Sequence, residues 1–441
     1  MYKIKSLPLM LLLLSLFASV GQAQDSTRAL SLEELIRTAT TANASLQLAR
    51  MDEAVAAANY KETEAMYLPQ VSFSYSLLNS NDPLNAFAFK LQGKSIAAAD
   101  FNPDALNHPS GRSDFVTQLN LRQPLVNIDM LYQRKAAAQQ KEIYRYKTQR
   151  TKEMIIFQSQ QAFLQLQLAY AGRRVLEEAA ATLQSLRKFT GDRYEQGLLQ
   201  QSDLLNVEVQ LKTLETAIAE TKSQIQNASD QISLLMNQPL GTTYLADSTV
   251  FTAPVALPPV TIPAARADFK AMGVMLTINK LLIRSNKMSF MPRLNFFANY
   301  QLHDAAPLNF GAGAYLAGLQ LSWDIFKGHT VKNKTASLQR QNERIKAGIE
   351  QQQAADQLAL QKASRDVADA AFRIRQQEAA ITAASEALRI LQNRYAQGLV
   401  TTTDVLTAHN QVAQQRLGLT QALFSRNMAL AYWQFLTASN K

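Results

Sequence analysis

The sequence contains no cysteine in its 441 residues, which excludes disulfide bonds, thiolate metal sites and a cysteine nucleophile. Histidine is nearly as scarce: His108, His303, His329 and His409 lie far apart, without acidic residues at metal-ligand spacing. A glycine-rich phosphate loop, a nucleophile elbow and a paired-carboxylate signature are also missing. The sequence therefore predicts no enzyme, no metal and no cofactor. His108 and His303 are expected in loops, and His409 on a helix surface.

Long apolar runs are missing except at the N-terminus, where "LPLMLLLLSLFASV" follows Lys3 and Lys5. This pattern predicts a secretory signal peptide over residues 1–23, cleaved between Ala23 and Gln24. An uncleaved anchor is the alternative, but the run is short for a membrane span. Since no cysteine follows the signal, we expect no N-terminal lipid anchor.

The rest of the chain has no stretch of 18 uninterrupted apolar residues, so it predicts no transmembrane helix. The remaining possibilities are an exported soluble protein and a β-barrel, because barrel strands give a weaker hydropathy signal than transmembrane helices. The net charge of +10 is spread without a compact basic cluster, which argues against nucleic-acid binding.

One short motif occurs twice, as "RYEQGLLQQSDLL" from Arg193 and as "RYAQGLVTTTDVL" from Arg394. Eight of 19 aligned positions are identical when residues 193–211 are placed on 394–412. Gly197 and Gly398 suit the left-handed conformation that ends a helix. Each aspartate, or the Ser or Thr before it, suits the cap of the next helix. The motif therefore predicts a helix–turn–helix tip in each copy.

The surroundings of the motif repeat too, as a helix, two strands, a proline-free long helix, the tip and a returning helix. Ser31 is expected to cap the first helix. Each long helix spans about 68 residues, or about 100 Å. The predicted helices are about 31–66, 128–196 and 202–237 in the first repeat and about 264–290, 329–397 and 401–438 in the second; the strands are about 69–79, 115–125, 292–302 and 314–324.

The strands alternate apolar and polar residues. In "VSFSYSL", for example, Val71, Phe73, Tyr75 and Leu77 alternate with serines. Their length and their terminal aromatic residues favour lipid-facing strands; two hairpins on a soluble core are the alternative. The first loop, about 79–114, is long, and the second, about 303–311, is short.

Four strands cannot close a barrel, and open sheet edges are not tolerated in lipid. Two copies would give eight strands around a filled interior, and three would give twelve around a pore. Polar residues on one face of the strands favour a wet lumen and therefore three copies. The long helices carry apolar residues on more than one stripe, which suits a helical cylinder, although a buried coiled coil is the alternative.

The fold class is therefore mixed α and β, mainly α: a duplicated helix–β-hairpin–long helix–turn–helix repeat, expected as a trimeric 12-stranded β-barrel continued by an α-helical barrel. We assign the first repeat to residues 24–238, a proline-rich linker to 239–263 and the second repeat to 264–441.

The sequence resembles the TolC family of outer-membrane efflux and secretion channels. The resemblance rests on the duplicated order, the two tip motifs, the prolines of "YLPQ" and "MPR", and "NDPLNAFAFKLQG" in the first loop. It implies a homotrimer in outer-membrane lipid with a periplasmic helical extension. It also implies partners: a periplasmic adaptor, or membrane fusion protein, and an inner-membrane transporter of RND or ABC type. The function implied is the exit duct of a tripartite efflux pump or a type I secretion system.

The resemblance also assigns site residues. An aspartate at the closed periplasmic entrance corresponds to Asp404, with Asp203 in the first repeat, and three copies would form an acidic ring that attracts cations and raises at least one pKa. Helix capping is the alternative for both. Some members carry an acid where this chain has Thr407 and an arginine where it has Val400, which argues against a tight charge-locked closure. The residues that match the adaptor-docking tips are Arg193, Tyr194, Gln196, Gly197, Leu198, Arg394, Tyr395, Gln397, Gly398 and Leu399.

A second hypothesis is a soluble periplasmic coiled-coil adaptor or scaffold protein. A third hypothesis is a cell-surface enzyme or adhesin built on a coiled coil, which the absence of catalytic motifs disfavours. The four alternating strands favour the channel.

Overall fold

The computed structural model describes residues 27–246 and 261–438. The predicted signal peptide, its Ala23–Gln24 cleavage site and most of the predicted linker lie outside the described residues. In chain order the strands are β1 (Thr27–Leu30), β2 (Gln70–Ser80), β3 (Arg112–Val126), β4 (Thr243–Ala246), β5 (Arg293–Asp304) and β6 (Ala312–Ser322). The helices are α1 (Leu32–Ala42), α2 (Ala44–Glu62), α3 (Pro83–Gln92), α4 (Pro103–Asn107), α5 (Ile128–Glu195), α6 (Gln201–Leu235), α7 (Ala267–Met288), α8 (Thr330–Ala396) and α9 (Thr402–Thr437).

The chain forms two compact units, and each contains segments of both sequence repeats. The helical unit holds the described parts of Met1–Arg50, Lys147–Ala267 and Gln351–Lys441. The sheet unit holds Met51–Tyr146 and Asp268–Glu350. The repeats of the sequence are therefore interleaved in space.

The sheet unit is built on four antiparallel strands in the order β2-β3-β5-β6. One row of the register runs Phe73, Leu119, Tyr300 and Tyr315, all at least 46% exposed. The next row places Ser72, Asn120 and Asn299 on the opposite face. One face of the sheet is thus apolar and exposed, and the other is largely polar, as the alternation predicts.

Polar side chains join the strands across the second face. Asn120 Oδ1 accepts from Gln118 Nε2 at 2.7 Å and from Asn299 Nδ2 at 2.6 Å. His303 lies in β5 rather than in the loop expected from the sequence, and its Nδ1 is 2.7 Å from Asp114 Oδ2. Both side chains are buried. The short second loop therefore begins only after Asp304, the last residue of β5.

The connection between β2 and β3 is folded, although the sequence predicts a loop. Asp82 caps α3 by accepting from the Asn85 backbone at 3.0 Å, and Pro83 is the first helical residue. Asn102 caps α4 in the same way, at 3.0 Å from the Asp104 backbone. Each X-Pro pair is a helix start signal, so the two prolines begin helices instead of excluding them.

The helical unit packs α1, α5 and α6 around one core cluster. Ser31 caps α1 as expected, because its Oγ accepts from the Glu34 backbone at 3.1 Å. Leu35, Leu166 and Ile232 are fully buried in the cluster. Within the described ranges, no helix is long and apolar enough to cross a membrane.

Strands β1 and β4 form a two-stranded parallel sheet, which the sequence pattern does not predict. Tyr244 of β4 is buried in the core cluster, and its carbonyl accepts from the Tyr170 hydroxyl at 2.9 Å. Its backbone N–H donates to Ser229 Oγ at 3.1 Å. Strands of four residues carry too little alternation to be recognised.

Candidate functional site

The first helix tip lies between the end of α5 and the start of α6. Gly197 has a φ of +72°, the left-handed conformation expected from the sequence. The Leu198 N–H donates to the Arg193 carbonyl at 2.9 Å, and the Gly197 N–H donates to the Tyr194 carbonyl at 2.9 Å. These two bonds form a Schellman motif, which satisfies the last carbonyls of α5.

The second tip, between α8 and α9, repeats this geometry. Gly398 has a φ of +77°. Leu399 donates to the Arg394 carbonyl and Gly398 to the Tyr395 carbonyl, both at 3.0 Å. The duplicated motif therefore forms the same turn twice, because both copies place glycine where a side chain would strain the backbone.

The caps of the returning helices differ from the expectation. The N-cap residues are Gln200 and Thr401, so neither the aspartates nor Ser202 and Thr403 occupy that position. Asp203 and Asp404 instead lie at the third helical position and accept from the N-cap backbone. In each tip the aspartate thus bonds back to its own turn, as the acidic member of a capping box does.

The second capping box is the tighter one. Asp404 Oδ2 accepts from the Thr401 backbone at 2.9 Å and from Thr401 Oγ1 at 2.7 Å, while Asp203 Oδ2 lies 3.3 Å from the Gln200 backbone. The side-chain and backbone hydrogen bonds from Thr401 hold the pKa of Asp404 below its ordinary value. Asp404 is therefore an exposed, ionised carboxylate at neutral pH in the single chain.

Tyr395 is a core residue, 4% exposed. Its hydroxyl lies 3.1 Å from Thr190 Oγ1 of α5 and 2.9 Å from Thr402 Oγ1 of α9, and both threonines are buried. Its ring lies 5.5 Å from that of Phe189. Tyr395 thus joins the second tip to the long helix of the first repeat.

Arg193 joins the same two tips from the other side. Its guanidinium lies over the Phe189 ring at 4.7 Å and donates to the carbonyls of Tyr395 and Ala396. These carbonyls belong to the last turn of α8, which a cation stabilises. Two of the residues assigned to adaptor docking, Arg193 and Tyr395, therefore have structural contacts of their own.

The remaining assigned residues are mostly exposed. Leu198 is 63% exposed and Leu399 is 60% exposed, each just beyond its glycine. Tyr194 is 39% exposed. Gln196, Gln397 and Arg394 are exposed beside them. Two apolar side chains on matching turns are thus available to a partner, and their role in docking stays a prediction.

His409 lies near the second tip and is buried, so its expected place on a helix surface is wrong. It lines a cavity of about 170 Å³ between α5, α8 and α9, together with Glu178, Arg389 and Arg416. Burial, and secondarily the Arg416 cation, lower the pKa of His409, although a hydrogen bond with the Ala179 backbone raises it. Among the described residues, no group of three potential metal-ligating side chains occurs.

Solved structures of outer-membrane channels share this fold. CusC is 17% identical, with a TM-score of 0.77 over 93% of this chain and 92% of that chain. CmeC of Campylobacter jejuni is 16% identical, with a TM-score of 0.75 over 92% and 85% of the two chains. VceC of Vibrio cholerae is 18% identical, with a TM-score of 0.71 over 93% and 97%. No curated protein sequence matches the chain significantly.

The family model for outer membrane efflux proteins matches residues 35–238 and 264–437. The match covers both repeats, including the two tips and all four strands of the larger sheet. The chain belongs to the outer membrane efflux protein family, a family of outer-membrane channels with a periplasmic helical part.

Proposed function

We propose that this outer-membrane efflux channel is the exit duct of a tripartite export system, which receives cargo from an inner-membrane transporter through a periplasmic adaptor. The observation that carries the proposal is the pair of matched tips. Leu198 and Leu399 project from turns of the same geometry and are at least 60% exposed. An exposed apolar side chain that recurs on two equivalent turns suits a partner that binds the same shape more than once.

The proposed assembly is a homotrimer. Strands β2 and β6 are the outer strands of the sheet, and neither has a second partner among the described residues. Three copies would join these edges into twelve strands and leave no open edge in lipid. The exposed row of Phe73, Leu119 and Tyr315 would then face lipid, and the polar row of Ser72, Asn120 and Asn299 would line a wet lumen.

Asp404 is proposed as the cation-selective ring at the periplasmic entrance. Three ionised carboxylates close together attract cations and repel anions. The capping box offers a purely structural role for the same residue, because Asp404 accepts two hydrogen bonds from Thr401. Thr401 allows the two roles to be separated, since Thr401→Ala weakens the cap and keeps the acid.

Single-channel conductance in planar bilayers tests the pore and the ring together. We expect wild type to show a small, cation-selective conductance, and Asp404→Ala to lose most of the selectivity. Thr401→Ala removes the capping hydroxyl but should keep cation selectivity within about twofold, because the carboxylate remains. Equal loss of selectivity in both variants would assign Asp404 to capping alone. A membrane-embedded trimer that never conducts, with or without Asp404→Ala, contradicts the pore.

Export from the source bacterium tests the docking role of the tips. Strains lacking the native copy would be complemented with wild type, Leu198→Asp or Leu399→Asp. A buried charge in an apolar contact is costly, so each variant should lower export of the system's substrates by about tenfold or more. Conductance of the purified variants should be unchanged. Leu358→Asp is a matched control, because Leu358 is 64% exposed on α8 away from the tips. Normal export by both tip variants would overturn the docking assignment.

A further inference from the structure

The apolar face of the sheet continues beyond the end of β6. Trp323, Ile325 and Phe326 follow the strand and are 55%, 69% and 76% exposed. The Trp323 indole N–H donates to the Phe290 carbonyl at 3.0 Å, which fixes the ring at the helical end of the sheet. Exposed aromatic side chains at the end of lipid-facing strands are typical of a membrane interface.

Ile325 and Phe326 border a cleft of about 570 Å³ between the end of α7 and the start of α8. Phe290, Ile325 and Phe326 contribute its apolar wall, and Lys287 and Lys332 lie at its rim. The two helices are joined beside it, because Asn286 Nδ2 donates to the Val331 carbonyl and to Thr335 Oγ1, both at 2.9 Å. The cleft is therefore part of the fixed structure of the sheet unit.

The charge of the rim is not balanced by the protein. Lys327 is paired with Asp324 at 2.6 Å. Lys287 and Lys332 make no ion pair with any described residue, and both are exposed. The first turn of α8 contains no acidic residue. An apolar cleft with two uncompensated cations at its rim is complementary to a molecule that has an apolar chain and an anionic head.

We propose that this cleft binds a glycerophospholipid with an anionic headgroup, from the periplasmic leaflet. An acyl chain would lie on Phe290, Ile325 and Phe326, and the headgroup phosphate would lie between Lys287 and Lys332. The inference rests on the proposed orientation, with the apolar face of the sheet in lipid. It goes beyond that orientation because it assigns lipid chemistry to named residues. A second copy of the chain is the competing occupant, and the first experiment distinguishes the two.

The first experiment measures access of lipid to the cleft. Because the chain has no cysteine, Phe326→Cys carries the sole thiol, which a bimane fluorophore labels in intact trimers. Vesicles would contain phosphatidylcholine, phosphatidylglycerol and phosphatidylcholine with a nitroxide on the acyl chain. We expect the nitroxide to quench the fluorophore strongly, whereas a fluorophore on Leu399→Cys at the tip should stay bright. An unquenched fluorophore in an intact trimer would mean that another copy covers the cleft and would overturn the proposal.

The second experiment measures headgroup selectivity by native mass spectrometry of the delipidated trimer. Wild type should retain phosphatidylglycerol in preference to phosphatidylcholine. Each juxtamembrane lysine contributes about fivefold to the affinity for anionic lipid, so Lys287→Gln with Lys332→Gln should remove most of the preference. The matched control is Lys346→Gln with Lys362→Gln, two exposed lysines of α8 outside the cleft. Equal loss in both pairs would reduce the effect to net charge and overturn the specific site.

Phe326→Ser tests the acyl chain separately. It should weaken retention of phosphatidylglycerol and of phosphatidylcholine alike, because both carry the same chains. Unchanged retention of both lipids in Phe326→Ser would overturn the placement of the chain in the cleft. Single-channel conductance of the same protein preparations reports on the channel independently of the lipid measurements. Loss of lipid retention with normal conductance would therefore be distinguished from loss of the channel itself.

Discussion

The two tips have one motif and the same turn but different surroundings. Tyr194 is 39% exposed and Tyr395 is 4% exposed, although each follows the arginine of its motif. The second tip has a threonine cap that bonds to Asp404, whereas Gln200 makes no side-chain capping bond in the first. The second tip is thus anchored within its own chain, and the first is left more open.

The difference shows that a repeated motif fixes the turn and not the packing. The glycine and the two backbone bonds after each long helix are local, so both copies share them. Burial of Tyr395 depends on Phe189 and Thr190 of the other repeat. An equivalent neighbour for Tyr194 is lacking within the described chain, and a second copy could supply one.

The largest effect should come from removing the buried tyrosine. Tyr395→Ala leaves a cavity and two buried threonine hydroxyls without their partner, and we expect a loss of about 3 kcal/mol or more in local stability. Hydrogen exchange followed by mass spectrometry should show protection of the tip peptides reduced by on the order of a hundredfold.

Tyr194→Ala is the matched variant. In the monomer it should cost about 0.5 kcal/mol, because the side chain makes few contacts there. If both variants lower protection of their own tips equally in the monomer, the proposed contrast between an anchored and an open tip is wrong.

The next prediction concerns the missing neighbour of Tyr194. Phe189, which packs on Tyr395, corresponds to Ile390 in the second repeat, and Ile390 is 46% exposed. In the proposed homotrimer the two repeats would alternate around the axis, so Tyr194 should pack on Ile390 of the partner subunit. A chain with Tyr194→Cys and Ile390→Cys should be cross-linked between copies by a short bis-maleimide, and denaturing gels would show dimers and trimers.

Tyr194→Cys with Leu358→Cys is the control, because Leu358 is exposed on the same helix farther from the tip. Cross-links of equal yield in both pairs would mean random collision between copies. Cross-links confined to one chain in the first pair would contradict the alternating arrangement.

The strands, the long helices and the tip turns could be predicted from the sequence because each depends on local residue patterns. Alternation gave the four strands, proline-free periodicity gave the long helices, and Gly197 and Gly398 gave the turns. The cap at Thr401 could not be chosen, since Thr401, Thr402 and Thr403 are chemically equivalent N-cap residues. Tyr395 could not be distinguished from Tyr194, because its burial comes from contacts with α5.

Two features that differ from the prediction, the helix at Pro83 and the burial of His409, did have a signal in the sequence. Asp82 before Pro83 is a helix start signal that lies within the predicted first loop. Val405, His409 and Val412 follow a helical spacing that places the histidine on the apolar face of α9. The burial of His409 was therefore predictable from its neighbours, whereas the cavity beside it was not.

The smallest expected effects concern the two returning helices, α6 and α9, whose stabilities should respond differently to pH and salt. His409 corresponds to Glu208 in the first repeat, which instead forms an exposed ion pair with Arg187 at 2.7 Å. Because burial lowers the pKa of His409, the unfolded chain takes up the proton first. Stability from this group is complete above about pH 6.5 and is lost as the pH falls towards the folded pKa. Glu178, Arg389 and Arg416 are the charged side chains that share the cavity with His409.

Protection of residues 402–416 should therefore decrease between pH 7 and 5.5, after correction for intrinsic exchange, and His409→Gln should remove the decrease. Protection of residues 201–215 should instead fall slightly with salt, because an exposed ion pair contributes below about 1 kcal/mol and is screened. Glu208→Gln should remove that salt dependence and leave the pH response of α9 unchanged. If the pH response persists in His409→Gln, another group on α5, α8 or α9 carries it, and the difference between the two helices does not come from this position.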